Sequence, residues 1–109
     1  MINSFREVLK DLRQKGHVED ITKPVDIRHI AALVDESEKA LVFHNVNDYS
    51  MPVVSGVANS RERIGAAFGC SYEDVYKLLD LGLSEPIEPK LINGGPVREV
   101  FITDDEVDL

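Results

Sequence analysis

Apolar residues recur every three or four positions in four stretches of the chain, and this spacing predicts four amphipathic helices. A residue that can cap the first turn precedes each stretch, namely Ser4, Asp26, Ser60 and Ser71. Ser4 also begins a capping box, Ser-x-x-Glu. The predicted inward faces are Phe5, Val8, Leu9 and Leu12; Ile27, Ile30, Ala31 and Val34; Ile64, Ala67 and Phe68; and Tyr72, Val75, Tyr76 and Leu79. The glycines expected at or just past helix ends are Gly16, Gly69 and Gly82.

Extended segments lie between and after these helices. Residues 17–25 are predicted to be extended, and residues 41–46 and 52–57 are predicted to pair as an antiparallel hairpin across a polar turn. Residues 85–89 contain two prolines and are predicted to be a linker, and residues 97–102 a final strand. The pattern predicts one α+β domain, residues 1–109, with four helices on a small mixed or antiparallel sheet.

The acidic balance of the chain argues against two classes of partner. The net charge is −8, from 20 acidic and 12 basic residues, and no basic cluster is present to attract DNA, RNA or an anionic membrane. Cys70 is the only cysteine, so no intrachain disulfide can form, which fits a reducing compartment. The charged N-terminus lacks the apolar run of a signal peptide, and no stretch approaches the roughly 20 apolar residues of a membrane span. We expect a soluble, cytoplasmic protein.

The stretch SMPVVSGVANSRERIG, residues 50–65, has the order strand, small-residue turn and helix start that many phosphate sites use. It lacks the second glycine of a dinucleotide-binding fingerprint and the Gly-Lys pair of a P-loop. Arg61 and Arg63 near the helix start could attract an anion, but helix capping by Ser60 and solvated arginines explain the same residues. We favour the interpretation that the stretch only turns a corner, and keep the anion site as a minor hypothesis.

Other residue types that could carry chemistry are dispersed. His17, His29 and His44 have none of the local spacings that metal sites use. Cys70, at a helix start, has no base assigned to it and is expected to be a buried or half-buried thiol. The adjacent acids are interpreted as solvated side chains rather than catalytic pairs; they are Glu19-Asp20, Asp35-Glu36, Glu73-Asp74 and Asp104-Asp105-Glu106. The residues alone indicate an acidic α+β domain and show no active site.

The order of several short segments resembles the N-terminal domain of the UbiD family of decarboxylases, and the resemblance covers nearly the whole chain. The segments are Phe5-Arg6-Glu7, Lys23-Pro24-Val25-Asp26, Ile30-Ala31-Ala32-Leu33, Leu41-Val42-Phe43-His44-Asn45-Val46, Met51-Pro52-Val53-Val54, Ser60-Arg61-Glu62-Arg63-Ile64, Pro96-Val97-Arg98-Glu99-Val100 and Val107-Asp108-Leu109. Each segment alone is weak evidence, whereas their order is fairly specific.

The resemblance implies part of a reversible carboxy-lyase that acts on aromatic or α,β-unsaturated carboxylic acids. Such enzymes use prenylated FMN held with a divalent metal and potassium, and a UbiX-type prenyltransferase supplies the cofactor. In the family the flavin ligands, the metal ligands and a Glu-Arg-Glu catalytic network lie in the following domain, and oligomerisation tends to use a later domain. Arg61-Glu62-Arg63 corresponds instead to the family's N-terminal helix. We therefore predict no catalytic, cofactor-binding or metal-binding residue in this chain.

Two hypotheses of different classes follow. In the first, the chain is the N-terminal domain or small subunit of a UbiD-like carboxy-lyase. It packs on the flavin-binding domain or large subunit, helps to cover the active-site cleft, and is inactive alone. In the second, it is a free-standing interaction module whose acidic surface docks a basic partner. A small independent enzyme is a weaker third possibility, because no constellation of residues is available to line a catalytic cleft.

Overall fold

The computed structural model describes residues 4–107, and within that range four α-helices, three strands and three short 3-10 turns follow one another. The helices are α1 (Phe5–Gln14), α2 (Ile30–Glu36), α3 (Arg61–Phe68) and α4 (Tyr72–Ser84). The strands are β1 (Val18–Ile21), β2 (Ala40–Phe43) and β3 (Val53–Ser55). The 3-10 turns are Ile27–His29, Pro96–Arg98 and Asp104–Glu106. The predicted α+β class is confirmed.

Capping residues fix where most helices begin. The hydroxyl of Ser4 accepts from the Glu7 backbone N–H at 3.2 Å, and that of Ser60 accepts from the Arg63 N–H at 3.2 Å. Asp26 caps the 3-10 turn that leads into α2 rather than α2 itself. Ser71 stands at the N-cap of α4, but its hydroxyl donates to the Asp74 carboxylate at 2.9 Å instead of serving the backbone.

The three strands form one mixed sheet in the order β1-β2-β3. β1 runs parallel to β2, and β2 pairs with β3 antiparallel, which confirms the predicted hairpin. Both hairpin strands are shorter than predicted. Val46 lies beyond β2 and forms an isolated parallel bridge with Val25. The parallel pairing of the two segments therefore resumes at one position after β1 and β2 have ended.

The core has two parts, one on each face of the sheet. Because β2 is the central strand, its side chains are buried alternately on both faces. On one face α1 and α3 contribute Leu12 and Ala66, and on the other α2 contributes Ile30 and Val34. Helix α4 packs on α3 through Val75 and makes a further layer away from the sheet.

Two predicted boundaries in the C-terminal third are wrong. Residues 97–102 form no strand; a 3-10 turn at Pro96–Arg98 is followed by irregular chain, because no strand of the described part lies beside it to share hydrogen bonds. Helix α4 does not end before Gly82 but continues to Ser84. It stops where Glu85 leaves helical geometry ahead of Pro86, as the residue before a proline commonly does.

The predicted inward faces are only partly correct. In α3 the buried side chains are Arg63 and Ala66, whereas Phe68 is half exposed. In α4 only Val75 of the predicted face is buried, and Tyr76 and Leu79 lie in solvent. These predictions assumed that every large apolar residue of a helix faces the core, whereas among the described residues Phe68, Tyr76 and Leu79 are not covered by a neighbouring element. Three further predicted positions are also exposed: Phe5, Ile27 and Ala31.

Candidate functional site

The stretch of residues 50–65 does form a strand, a turn and a helix start. Strand β3 ends at Ser55, and Gly56 follows with a φ of +81°, a left-handed conformation that glycine adopts without strain. A Cβ at Gly56 would lie 3.2 Å from Cγ1 of Val34 and 3.5 Å from the Cα of Ala40. The turn is therefore held tightly against the domain's own elements.

The start of α3 is filled by side chains of the chain itself. The Ser60 hydroxyl serves the Arg63 backbone N–H. The pKa of Glu62 is lowered mainly by a hydrogen bond from its own backbone N–H and next by the Ser60 hydroxyl, so this carboxylate stands where an external anion would bind. The N-terminus of α3 is therefore already paired with a negatively charged group, the Glu62 carboxylate.

The two arginines of the anion hypothesis have separate roles. Arg63 is only 3% exposed, and its Nη1 donates to the backbone carbonyl of Glu38 at 2.6 Å. Among residues 4–107 the buried Nε of Arg63 has no hydrogen-bond partner. Arg61 instead lies over the ring of Tyr72, with 5.4 Å between its Cζ and the ring centroid. These contacts favour the interpretation that the stretch turns a corner and joins α3 to its neighbours.

A cluster around Asp20 was missed from the sequence. The Asp20 carboxylate accepts from Arg13 Nε at 3.1 Å and Nη2 at 2.8 Å, and lies 2.7 Å from Nε2 of His44. The arginine first and the histidine second lower the pKa of Asp20. The parallel pairing of β1 with β2 brings Asp20 and His44 together, and a parallel register of distant segments has no local sequence signal. All three side chains are substantially exposed, as in a surface ion-pair network.

The remaining candidates lie apart from one another. Cys70 is half-buried, as predicted, and its backbone N–H donates to the carbonyl of Gly65 at 3.0 Å. His29 is exposed at the end of the turn before α2. Within residues 4–107 no group of three or more His, Cys, Asp or Glu side chains is close enough to hold a metal ion.

Two acidic side chains of the described residues, Asp74 and Asp26, are held by local partners at the surface. Asp74 accepts from Ser71 and from Lys77, and these bonds, the lysine first, lower its pKa. Asp26 accepts from Arg28 through both carboxylate oxygens, and this lowers the pKa of Asp26 strongly. A pair of catalytic carboxylates needs environments that push its two pKa values apart. Local surface partners instead lower the pKa of both Asp74 and Asp26.

The surface depressions differ in character, and an open one of about 540 Å³ at the start of α3 has mainly polar lining residues, among them Asp35, Ser60 and Arg63. Another open depression, of about 480 Å³, lies beside β1 and is floored mainly by Ile21, Val25, Leu41 and Phe43. A third lies along the outer side of α4, beside Leu81 and Leu83. Many large apolar side chains on α4 and after it are exposed, which makes that region the most prominent apolar surface of residues 4–107. No helix in this range is long and apolar enough to cross a membrane.

Comparison with known proteins confirms the resemblance drawn from the order of segments. A family model described as the N-terminal domain of 3-octaprenyl-4-hydroxybenzoate carboxy-lyase matches residues 9–81. The UbiD-class enzyme HmfF from Pelotomaculum thermopropionicum, solved in complex with FMN, is 31% identical with a TM-score of 0.71, and the match covers 87% of this chain and 22% of that one. An evolved dimeric form of HmfF in complex with prFMN is 30% identical with a TM-score of 0.76, over 99% of this chain and 26% of that one. The chain thus spans about a quarter of the length of these structures.

Proposed function

The chain belongs to the UbiD family of carboxy-lyases, and from this premise we propose that it is the N-terminal unit of an enzyme that reversibly decarboxylates an aromatic or α,β-unsaturated carboxylic acid. The match of the family model to residues 9–81 is the observation that carries the proposal. The unit's own role is structural. It packs on a flavin-binding domain or large subunit, and the whole of residues 1–109 belongs to this one domain.

The contacts at the start of α3 match a flavin phosphate site poorly, which supports this division of labour. A flavin phosphate needs several free donors, whereas Glu62 and Ser60 occupy the α3 N-terminus and Arg63 Nη1 is bonded to Glu38, which leaves the buried Nε of Arg63 without a partner among residues 4–107. Prenylated FMN, with a divalent metal and potassium, belongs to the part of the enzyme beyond this unit, where the cofactor supplies the chemistry. A UbiX-type prenyltransferase supplies the cofactor, and the enzyme works in the cytoplasm as an oligomer.

The test compares the chain alone with the flavin-containing assembly that carries it. Residues 1–109 and the native assembly are each assayed for flavin absorbance and for release of carbon dioxide from a panel of aromatic and α,β-unsaturated acids. We expect flavin and turnover in the assembly and neither in residues 1–109. Turnover by residues 1–109 alone would refute the structural role, and an assembly without flavin would refute membership of an active decarboxylase.

A second candidate function is a free-standing acidic interaction module. The observation that favours it is the concentration of negative charge and exposed apolar side chains in the last third of the chain. Under this hypothesis the chain acts as a 12.2 kDa protein and docks a basic partner that carries no flavin. Identification of the proteins that co-purify with it separates the two functions.

A further inference from the structure

The outer side of α4 is apolar and uncovered. Val75 is buried, whereas Tyr76, Leu79 and Leu83, which follow it at helical spacing, are exposed, and Leu83 is 83% exposed. The shallow depression along α4 includes Leu81 and Leu83. An apolar stripe that continues along a helix beyond its buried residue, as here beyond Val75, is typical of a helix that packs on a further partner.

The C-terminal segment, residues 85–107, follows α4 directly along the chain and also exposes large apolar side chains. Among its described residues the backbone hydrogen bonds are local, for example from Arg98 N–H to the Gly95 carbonyl and from Glu106 N–H to the Thr103 carbonyl. Its large apolar side chains are nevertheless exposed, including Ile87, Leu91 and Val97 at 90% or more. The other large apolar residues of the segment that lie in solvent are Ile92, Val100, Phe101, Ile102 and Val107.

An apolar surface of this extent indicates a contact surface. Isolated exposed apolar residues are normal in proteins, but contiguous ones favour association because burial removes them from water. Polar, unstructured segments have the opposite composition, with few aliphatic and aromatic residues. The composition of the C-terminal segment therefore fits a chain that lies against a protein surface.

The charges around this surface restrict what can cover it. Residues 72–109 contain half of the chain's 20 acidic residues but only three of its 12 basic residues, Lys77, Lys90 and Arg98. The preceding residues are almost balanced in charge. A second copy would bring two strongly negative surfaces together, whereas a partner with an apolar centre and a basic rim would be complementary.

We propose that the outer side of α4 together with the C-terminal segment, the α4–C-terminal surface, is the docking surface for the flavin-bearing part of the enzyme. This docking surface rests on the proposed function as the N-terminal unit of a carboxy-lyase. It adds which face of the unit makes the contact and what chemistry the contacting surface has. The contacting surface of the flavin-bearing part has an apolar centre that covers Leu83, Leu91 and Val97, and a net positive rim.

The structural comparison supports this occupant. The family model ends at residue 81, yet the match to the evolved form of HmfF covers 99% of this chain and therefore includes nearly all of the C-terminal segment. This chain is 26% of that HmfF chain. A segment with only local hydrogen bonds thus has a counterpart in a much larger flavin-bound polypeptide, as expected if the larger part holds it in place.

Thiol labelling in the assembled enzyme tests the proposal. In a Cys70→Ser background, Leu91→Cys and Val97→Cys place a thiol on the α4–C-terminal surface, and Ala32→Cys places the control thiol on exposed α2, on the opposite side of the domain. Each variant of the flavin-containing enzyme is treated with a maleimide before and after addition of urea. We expect labelling at residues 91 and 97 to be slower by about tenfold or more in the native assembly than in urea, and labelling at residue 32 to be similar in both.

The outcomes separate this proposal from the proposed function. Rapid native labelling at 91 and 97 in an enzyme that retains flavin and turnover would overturn the docking surface and leave the proposed function standing. If residues 91 and 97 are protected from the maleimide in a homodimer that contains no flavin, and the protection rises with protein concentration, the surface contacts a second copy. This result would overturn the proposal. Protection in the isolated, monomeric chain would show that the segment folds back on its own domain, which overturns it as well. Loss of flavin and turnover from every assembly that carries the chain would refute the proposed function itself.

Discussion

Arg63 shows how a charged residue can belong to the interior of this domain. Burying a guanidinium is costly unless its donors find acceptors, and Nη1 of Arg63 meets the carbonyl of Glu38 at 2.6 Å. The bond ties the start of α3 to the turn before β2. From the sequence alone Arg63 is indistinguishable from solvated Arg61, because the distinction depends on a contact with a residue 25 positions away.

Removing Arg63 is predicted to destabilise the domain more than removing Arg61. Arg63→Ala leaves the Glu38 carbonyl without its donor and opens a cavity, and we expect the free energy of unfolding to fall by about 2–3 kcal/mol. Arg61→Ala loses only an exposed contact with Tyr72, worth about 0.5–1 kcal/mol. Urea denaturation of the two variants measures the difference. Equal losses would contradict the structural role given to Arg63.

The Asp20 cluster predicts a dependence of stability on pH. Arg13 and His44 lower the pKa of Asp20 in the folded state, so the carboxylate stabilises the fold above its unfolded pKa of about 4, and that contribution is lost as the pH falls through the folded pKa. Because the cluster is exposed, we expect Asp20→Asn to cost no more than about 1 kcal/mol at neutral pH and less in acid.

Unfolding measured at pH 7 and at about pH 3 tests this dependence, with Glu19→Gln as the control on the same strand. We expect the stability difference between the parent protein and Asp20→Asn to narrow in acid. If the difference in the free energy of unfolding stays constant or widens in acid, the ion pairs of Asp20 do not stabilise the fold in solution.

Helices α3 and α4 each contain a glycine, and the space available for a side chain differs between the two positions. At Gly65, in α3, a Cβ would lie 2.7 Å from the carbonyl oxygen of Cys70 and 2.8 Å from the backbone nitrogen of Tyr72. At Gly82, in α4, a Cβ would have no atom within 4 Å among the described residues apart from its chain neighbours and the backbone of its own helix. Gly65 permits close packing of α3 on the start of α4, whereas no close contact requires a glycine at position 82.

The same substitution should therefore change stability in opposite directions at the two sites. Gly65→Ala must displace backbone atoms, and we expect it to lower the free energy of unfolding by about 2 kcal/mol or more. Gly82→Ala should raise it by about 0.5–1 kcal/mol, because alanine favours the helix and makes no clash. Thermal or urea denaturation of both variants provides the test. Stabilisation by Gly65→Ala would show that α3 and α4 do not approach as closely as described.

Local signals predicted the elements better than their contacts. The Ser4 and Ser60 caps, the left-handed glycines after α1 and α3, and the β2–β3 hairpin were all predicted from short stretches. The true length of α4 and the absence of a strand at residues 97–102 depend on packing and on whether a neighbouring strand is present. The Asp20 cluster could not be predicted, because it depends on the parallel register between β1 and β2.

At the level of the whole molecule, the order of segments was more informative than any single motif. No residue in this chain was predicted to be catalytic; the family was identified from the order of helix, hairpin and helix segments and is confirmed over residues 9–81. The last third differs from the rest in being acidic, apolar and uncovered. A domain with its own core and one uncovered surface fits the role of one part of a larger enzyme.

The intact mass and the flavin content of the native species that carries this sequence test the structural role most directly. The species is captured from its source cells, its polypeptides are measured by intact mass spectrometry, and flavin is measured in the same sample. We predict either one much heavier flavin-containing polypeptide, or a 12.2 kDa chain together with a flavin-bearing subunit. A 12.2 kDa chain that carries no flavin and has no flavoprotein partner would contradict the account.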